Sequence, residues 1–262
     1  MGAESFAPSQ ETALWWLTNA GFLINARGTL VMIDPVIWQD PEAPGVMEMG
    51  YRMLVPFPIV ASQVPRLDLV LYTHADEDHL GPKTARELIR TGALFVGTAP
   101  VAGVLAKLGV PDDRVQVVRA GQRFVFRHVQ ITATPADHPW QEQNPEWGPP
   151  WGPEDCCGFV ASTPDGTIWH PGDSRLMAEH LEMRGIDVLL LNVSNCDYHF
   201  GTKNAARLAN AIGAPHIIAH HFGSYDAPGH SAYDHDPAEV AALIENAEQR
   251  FHIIAPGERW GL

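Results

Sequence analysis

Positive charge is scarce in this chain. Lys and Arg number 17 against 31 Asp and Glu, a formal net charge of −14 over 262 residues. A field of that sign opposes phosphate backbones and anionic membranes, and no cluster of basic residues offsets it, so no nucleic-acid partner is expected. Cysteine is scarcer still. Of the three, Cys156 and Cys157 are adjacent, a poor geometry for a bridge, and no disulfide framework can be built. That usage points to a reducing, cytoplasmic setting. No apolar run approaches the roughly 20 residues a bilayer-spanning helix needs, so no membrane span is expected. The opening Met1-Gly2-Ala3-Glu4-Ser5-Phe6 lacks the basic and apolar regions of a secretory signal, and Phe6 stands where myristoylation wants Ser or Thr. No G-x-S-x-G elbow is present to carry a serine nucleophile. With no repeat, low-complexity tract or linker, residues 1–262 read as one domain, long enough to bury a core.

The pattern that is present changes character midway. Strands are expected over 13–18, 22–25, 29–33, 94–97, 115–118, 123–126 and 129–133, and helices over 83–90, with Pro82 at its start, and 101–108, ending at Gly109. The second half alternates: strands 158–162 and 167–170, helix 176–183, strand 188–192, helix 204–212, strand 216–219, helix 237–247 and strand 251–254. Two sheets packed together with helices outside satisfy both halves. Two stretches interrupt. Residues 35–65 carry Pro35, Pro41, Pro44, Pro56, Pro58 and Pro65, and 137–155 is rich in Pro, Trp and Glu. Such proline spacing prevents regular structure, and long ordered loops are usually functional.

The chemistry concentrates in Thr73-His74-Ala75-Asp76-Glu77-Asp78-His79-Leu80-Gly81-Pro82, where four candidate ligands fall within six positions between a strand and a helix. A turn leaving a strand can aim several side chains at one point. Imidazole suits zinc and iron, carboxylate suits harder ions, and the mixture reads as a transition-metal or manganese site. The alternative is a solvated acidic turn whose histidines cap the next helix. Further candidates recur at strand ends: His138 after 129–133, Asp173 after 167–170, His220 and His221 after 216–219, and Asp34 after 29–33. Loops at one sheet edge are where distant parts of a chain converge.

In order and spacing these residues resemble the metallo-β-lactamase fold superfamily, whose hallmark is H-x-H-x-D-H followed by a His, an Asp and a His. Within it the chain is most similar to the L-ascorbate-6-phosphate lactonase-like branch, through Leu17-Thr18-Asn19-Ala20-Gly21-Phe22-Leu23-Ile24, Ile33-Asp34-Pro35, Gly172-Asp173-Ser174, Asn195-Cys196-Asp197 and His221-Phe222-Gly223-Ser224-Tyr225. The resemblance implies an α/β (α+β) fold, a four-layer αββα sandwich of two mixed sheets. It also implies two divalent ions, one held by His74, Asp76 and His138, the other by Asp78, His79 and His221, with Asp173 bridging and Asp34 supporting. Asp76 stands where the pattern has its second histidine; the added negative charge shifts that position from zinc toward manganese or iron. Zinc and manganese are the expected ions, with iron compatible.

The expected activity is that of a hydrolase in which metal-bound hydroxide attacks a small ester or lactone, with Asp78 shuttling a proton. The alternatives are a phosphodiesterase acting on a phospholipid or small nucleotide, and a non-catalytic metal- or metabolite-binding protein. Trp140, Trp147 and Trp151 offer a substrate wall or pack their loop onto the core. His199, Lys203 and Arg175 are candidates to meet an anionic group, His170 and His220 to support the site, and Cys156 and Cys157 read as buried. The expected partner is a small molecule, and a homo-oligomer is among the assemblies the sequence allows.

Overall fold

Along Thr12–Thr18 (β1) successive side chains enter different cores: Leu14 and Trp16 one, Ala13, Trp15 and Leu17 another. Both faces of the strand are therefore covered, the condition for a sheet inside a layered sandwich. The structure, a computed structural model, describes all 262 residues. After β1 come β2 (Gly21–Ala26), β3 (Thr29–Ile33), β4 (Arg52–Met53), β5 (Leu69–Leu71), α1 (Pro82–Leu88), β6 (Leu94–Gly97), α2 (Ala99–Leu108), β7 (Val115–Val117), β8 (Arg123–Phe126) and β9 (Val129–Pro135). They are followed by β10 (Cys157–Ser162), β11 (Thr167–His170), α3 (Ala178–Leu181), β12 (Val188–Asn192), α4 (Gly201–Ile212), β13 (His216–His220), β14 (Tyr225–Asp226), α5 (Pro237–Ala241), α6 (Ala247–Arg250), β15 (Phe251–His252) and β16 (Arg259–Gly261).

Two seven-stranded sheets form, in the orders β16-β1-β2-β3-β5-β6-β7 and β15-β13-β12-β11-β10-β9-β8. Phe22, Ile24, Val31 and Leu71 of the first pack against Ile131, Phe159, Ile168 and Leu190 of the second. Truncating a fully buried member such as Phe159 to Ala would cost about 3–5 kcal/mol. The outer face of the first sheet is covered by Leu88 of α1 with Val101 and Leu105 of α2, that of the second by Ala205 and Leu208 of α4 with Val240 of α5. This is the αββα sandwich of two mixed sheets. The runs β3-β5-β6-β7 and β11-β12-β13 are parallel, so their carboxyl ends share one edge of the molecule.

The helix expected over 237–247 is two pieces. The apolar spacing of Val240 and Ile244 continues the pattern, but Asn210 of α4 donates to Leu243 O at 3.1 Å and accepts from Glu245 N at 2.9 Å. That exchange takes over the backbone groups a longer helix would need, and Asn246 at φ +56° turns the chain left-handed before α6 begins. Strand β16, which no periodicity announced, pairs with β1 at the sheet edge. Within 35–65, β4 pairs with β14, tying that loop to the one after β13.

Candidate metal centre

The edge where the parallel strands end collects the candidate ligands. Asp34 leaves β3, Thr73 and His74 follow β5, His138 follows β9, Asp173 follows β11, Asn192 ends β12 and His221 follows β13. Two of these, Asp34 (φ +44°) and His221 (φ +65°), hold left-handed backbone, a conformation costing of order 1–3 kcal/mol that recurs at functional sites. Gly172 (φ +73°) has no alternative: a Cβ there would lie 2.7 Å from Cys157 O and 3.1 Å from Thr73 Cβ. Only glycine lets the Asp173 turn sit this close to the motif turn.

Two groups of donor atoms result, each within 4.8 Å: Asp78, His79, Asp173 and His221, and His74, Asp76 and His138. In the first, His79 Nε2 and His221 Nε2 stand 3.0 and 3.3 Å from Asp173 Oδ2, and 3.6 and 3.3 Å from Asp78 Oδ2. In the second, His74 Nε2 and His138 Nε2 stand 3.3 and 3.4 Å from Asp76 Oδ2.

The tautomers show what these groups require. His138 Nδ1 faces Tyr198 O at 2.9 Å and His221 Nδ1 faces Ala232 O at 3.1 Å. A carbonyl only accepts, so both Nδ1 atoms carry protons and the neutral rings present lone pairs at Nε2. His79 Nδ1 donates to Asp34 Oδ2 at 2.8 Å. Thr73 Oγ1 donates to the same oxygen at 2.6 Å, which leaves it to accept from His74 Nδ1 at 2.9 Å. Four lone-pair nitrogens thus face carboxylates, and buried His74 Nε2 makes no hydrogen bond at all. Acceptors facing acceptors need positive charge between them, and the N/O donor set fits divalent transition ions.

Without ions, protons supply part of that charge. Burial alone would lower His221, but the Asp173 and Asp78 carboxylates override it and raise its pKa to about 9. His79 is raised by the same contest between burial and Asp173, Asp78 and Asp34. Burial pushes the Asp78 carboxyl up, yet the charges of His79 and His221 win and hold it below the ordinary range.

Other expected residues divide. His170 accepts from Gly172 N at 3.1 Å and faces Ala20 O at 2.9 Å, so it braces the Asp173 turn. His220 points away, to Leu190 O. Trp140 donates to Asp76 Oδ1 at 3.1 Å and Trp151 packs edge-on against His74. Arg175 is bound to Asp137 and Glu142, and neither it nor Lys203 of α4 reaches the cleft. Cys156 and Cys157 are buried, and desolvation raises both thiols. His199 lies inside the cluster, Nε2 2.7 Å from Asp173 Oδ2. Sequence reasoning passed over Asn192, whose Nδ2 donates to Asp173 Oδ1 at 2.6 Å, and Asn19, which donates to Asp78 O at 3.0 Å. Asn192 obeys the strand-end rule that found the others.

Asp76, Asp78, His138, Asp173 and His221 line the floor of a cleft of about 780 Å³, with His74 and His79 packed against them. Met49 and Tyr51 from one proline-rich loop and Trp140 and Trp147 from the other form its walls. A third stretch, Gly229 to Tyr233, completes them, with Tyr233 stacked on His221 at 5.6 Å.

Comparison with known proteins accords with this geometry. The family described as the beta-lactamase superfamily domain matches residues 29–222. A UPF0173 metal-dependent hydrolase of Methanopyrus kandleri is 28% identical over 251 residues, covering 94% of this chain and 97% of that protein. Among solved structures, Igni18, a metallo hydrolase from the archaeon Ignicoccus hospitalis, has a TM-score of 0.72 at 20% identity, covering 97% and 99% of the two chains. An isothiocyanate hydrolase from Delia radicum gut bacteria has a TM-score of 0.73 at 19% identity, covering 95% and 98%.

Proposed function

This chain belongs to the β-lactamase superfamily as one of its metal-dependent hydrolases, and from that premise we propose that it cleaves a small uncharged ester or lactone. The charge of the cleft carries the reading. Asp76, Glu77, Asp78 and Asp173 line it, and no Lys or Arg does. A phosphoryl group would find no guanidinium or ammonium to pair with, and the nearby Arg175 is engaged by two carboxylates. That supports an acyl substrate over a phosphodiester, and an unphosphorylated lactone over a phosphorylated one. The isothiocyanate hydrolase, on the same fold, is named for an uncharged molecule.

Divalent ions held by the two donor groups would supply Lewis acidity and bring the pKa of a water toward neutrality. We assign two ions, zinc or manganese, with Asp76 favouring manganese or iron at the first position. The protein's own groups do the rest. Asn192 occupies Asp173 Oδ1, so that carboxylate presents only Oδ2 to the centre. Asp78, ionised through neutral pH, accepts a proton during attack and returns it to the departing alkoxide. Trp140, Trp147, Tyr51 and Tyr233 bind the apolar part of the substrate and exclude water.

The test is a panel of γ- and δ-lactones, aryl acetates and bis-p-nitrophenyl phosphate, assayed on protein loaded with zinc or manganese. The uncharged acyl compounds are expected to show kcat/KM at least about 100-fold above the diester. Preference for the diester would transfer the assignment to phosphodiester hydrolysis.

A further inference from the structure

Five imidazoles form a closed ring at the floor of the cleft. The centroid separations are 4.0 Å for His74–His79, 5.4 Å for His79–His221, 5.0 Å for His221–His199, 5.1 Å for His199–His138 and 5.0 Å for His138–His74. His74 and His79 come from the motif turn after β5, and His138 and His221 follow β9 and β13. The fifth, His199, comes from the turn between β12 and α4 and closes the gap between the two donor groups.

We propose that His199 is itself a metal ligand, binding through Nε2 to the ion that His138 holds. Three observations carry this. His199, His138 and Asp173 form a third group of donors within 4.8 Å of one another, so His199 meets the His74, Asp76 and His138 group at His138. The ring is buried and oriented: Cys196 Sγ takes Nδ1, which turns Nε2 inward, as the partners of the other four rings do. Last, His74, Asp76 and His138 supply two imidazoles and a carboxylate, one imidazole fewer than a three-histidine site. His199 supplies that imidazole. The imidazole absent at position 76 is thus replaced from a segment more than a hundred residues downstream. Where Asp76 hardens the first position, His199 restores nitrogen to it, so zinc is retained there without excluding manganese.

This inference rests on the metal-centre reading, and two measurements separate them. Anomalous diffraction at the zinc edge from crystals of the zinc-loaded protein should place an ion about 2.0–2.2 Å from His199 Nε2. An ion seated on His74, Asp76 and His138 with His199 still hydrogen-bonded to Asp173 would overturn this inference alone; no bound ion would overturn both. In solution, zinc retention against a competing chelator distinguishes ligation from positioning. His199→Gln keeps an N–H able to reach Asp173 Oδ2 but is a poor ligand. Ligation predicts that it, like His199→Ala, weakens one of two ions by at least about tenfold and leaves the other unchanged. Wild-type retention in His199→Gln would reduce His199 to a positioning residue.

Discussion

Asp34 accepts from His79 Nδ1 at 2.8 Å, a bond across 45 residues of sequence that decides which nitrogen of the ring faces the cluster. The same carboxylate accepts from Thr73 N and Thr73 Oγ1, at 2.8 and 2.6 Å. Through Thr73 it fixes His74 as well. One buried residue, touching no ion position, therefore governs a donor in each group.

Asp34→Asn should expose that control. The amide oxygen can still accept from Thr73 N, but the NH2 in place of Oδ2 cannot accept from His79 Nδ1–H or from Thr73 Oγ1–H. The ring must then flip its tautomer or turn. Affinity for zinc, read by chelator competition, should fall about 10–100-fold, the usual effect of removing a ligand's orienting carboxylate. Unchanged affinity would mean that the His79 tautomer is set elsewhere.

Ion binding should release protons, and its pH dependence has a definite sign. In the ion-free protein His221 titrates at about 9, above the ordinary 6.5, because Asp173 and Asp78 outweigh burial. A raised folded pKa contributes stability that is fully present below the unfolded value and is lost as pH rises through the folded one. The ion-free protein should lose thermal stability between about pH 6.5 and 9, while the zinc-loaded form, with no proton on His221, should not. The gain in Tm on adding zinc should therefore grow across that window. Calorimetry in buffers of different ionisation enthalpy should count about one proton or more released at pH 7. A gain in Tm independent of pH would contradict the proton-filled cluster.

Much of this centre was legible before any coordinates, for a physical reason. Parallel strands of one sheet end at one edge, so Asp173 and His221 at the ends of β11 and β13 had to share an edge, as did Asp34 and His74 at the ends of β3 and β5. Groups defined only by tertiary approach were not legible. The carbonyls of Tyr198 and Ala232, which set two tautomers, carry no sequence signal, and neither does the wall from Gly229 to Tyr233. His199, by sequence a candidate to meet an anionic group, sits beside Asp173 Oδ2 with burial lowering its pKa to about 4, a neutral ring rather than a charge. Lys203, close to the ligands in sequence, is exposed on α4 and does not line the cleft, because proximity in sequence says nothing about which way a helix faces. Periodicity overran the end of α5 because the cap that stops it, Asn210, lies on another helix.

Trp147 separates substrate binding from folding. It is 72% exposed and stands 6.3 Å from Trp140 across the cleft wall. An indole that exposed contributes little to folding, so Trp147→Ala should alter stability by less than about 0.5 kcal/mol. If the wall binds the apolar portion of a substrate, KM for aryl esters should rise roughly five- to fiftyfold with kcat nearly unchanged, the mark of lost uniform binding. Equal kinetics for phenyl and methyl esters in both proteins would remove Trp147 from the binding surface.

Asn192 offers the sharpest test of how Asp173 is held. It is fully buried, donates to Asp173 Oδ1 at 2.6 Å, and accepts from Ser194 N at 2.8 Å. Asn192→Ala should cost about 1–3 kcal/mol, because both partners lose a buried hydrogen bond. Asn192→Asp keeps the shape and the Ser194 contact but sets one carboxylate against another. One of the pair must then bind a proton, and its folded pKa rises above the ordinary value of about 3.9. Such a group costs stability as pH climbs from that value toward the raised one, the same course as His221 begun at a lower pH. The ion-free Asn192→Asp protein should therefore fall further behind Asn192→Ala in denaturant midpoint as pH increases from about 4 to 8. Added zinc should narrow the gap, since a second positive charge on Asp173 Oδ2 draws the new proton off. Parallel midpoints across that range would show that Asp173 is oriented by the imidazoles alone, and Asn192 would then be no more than packing.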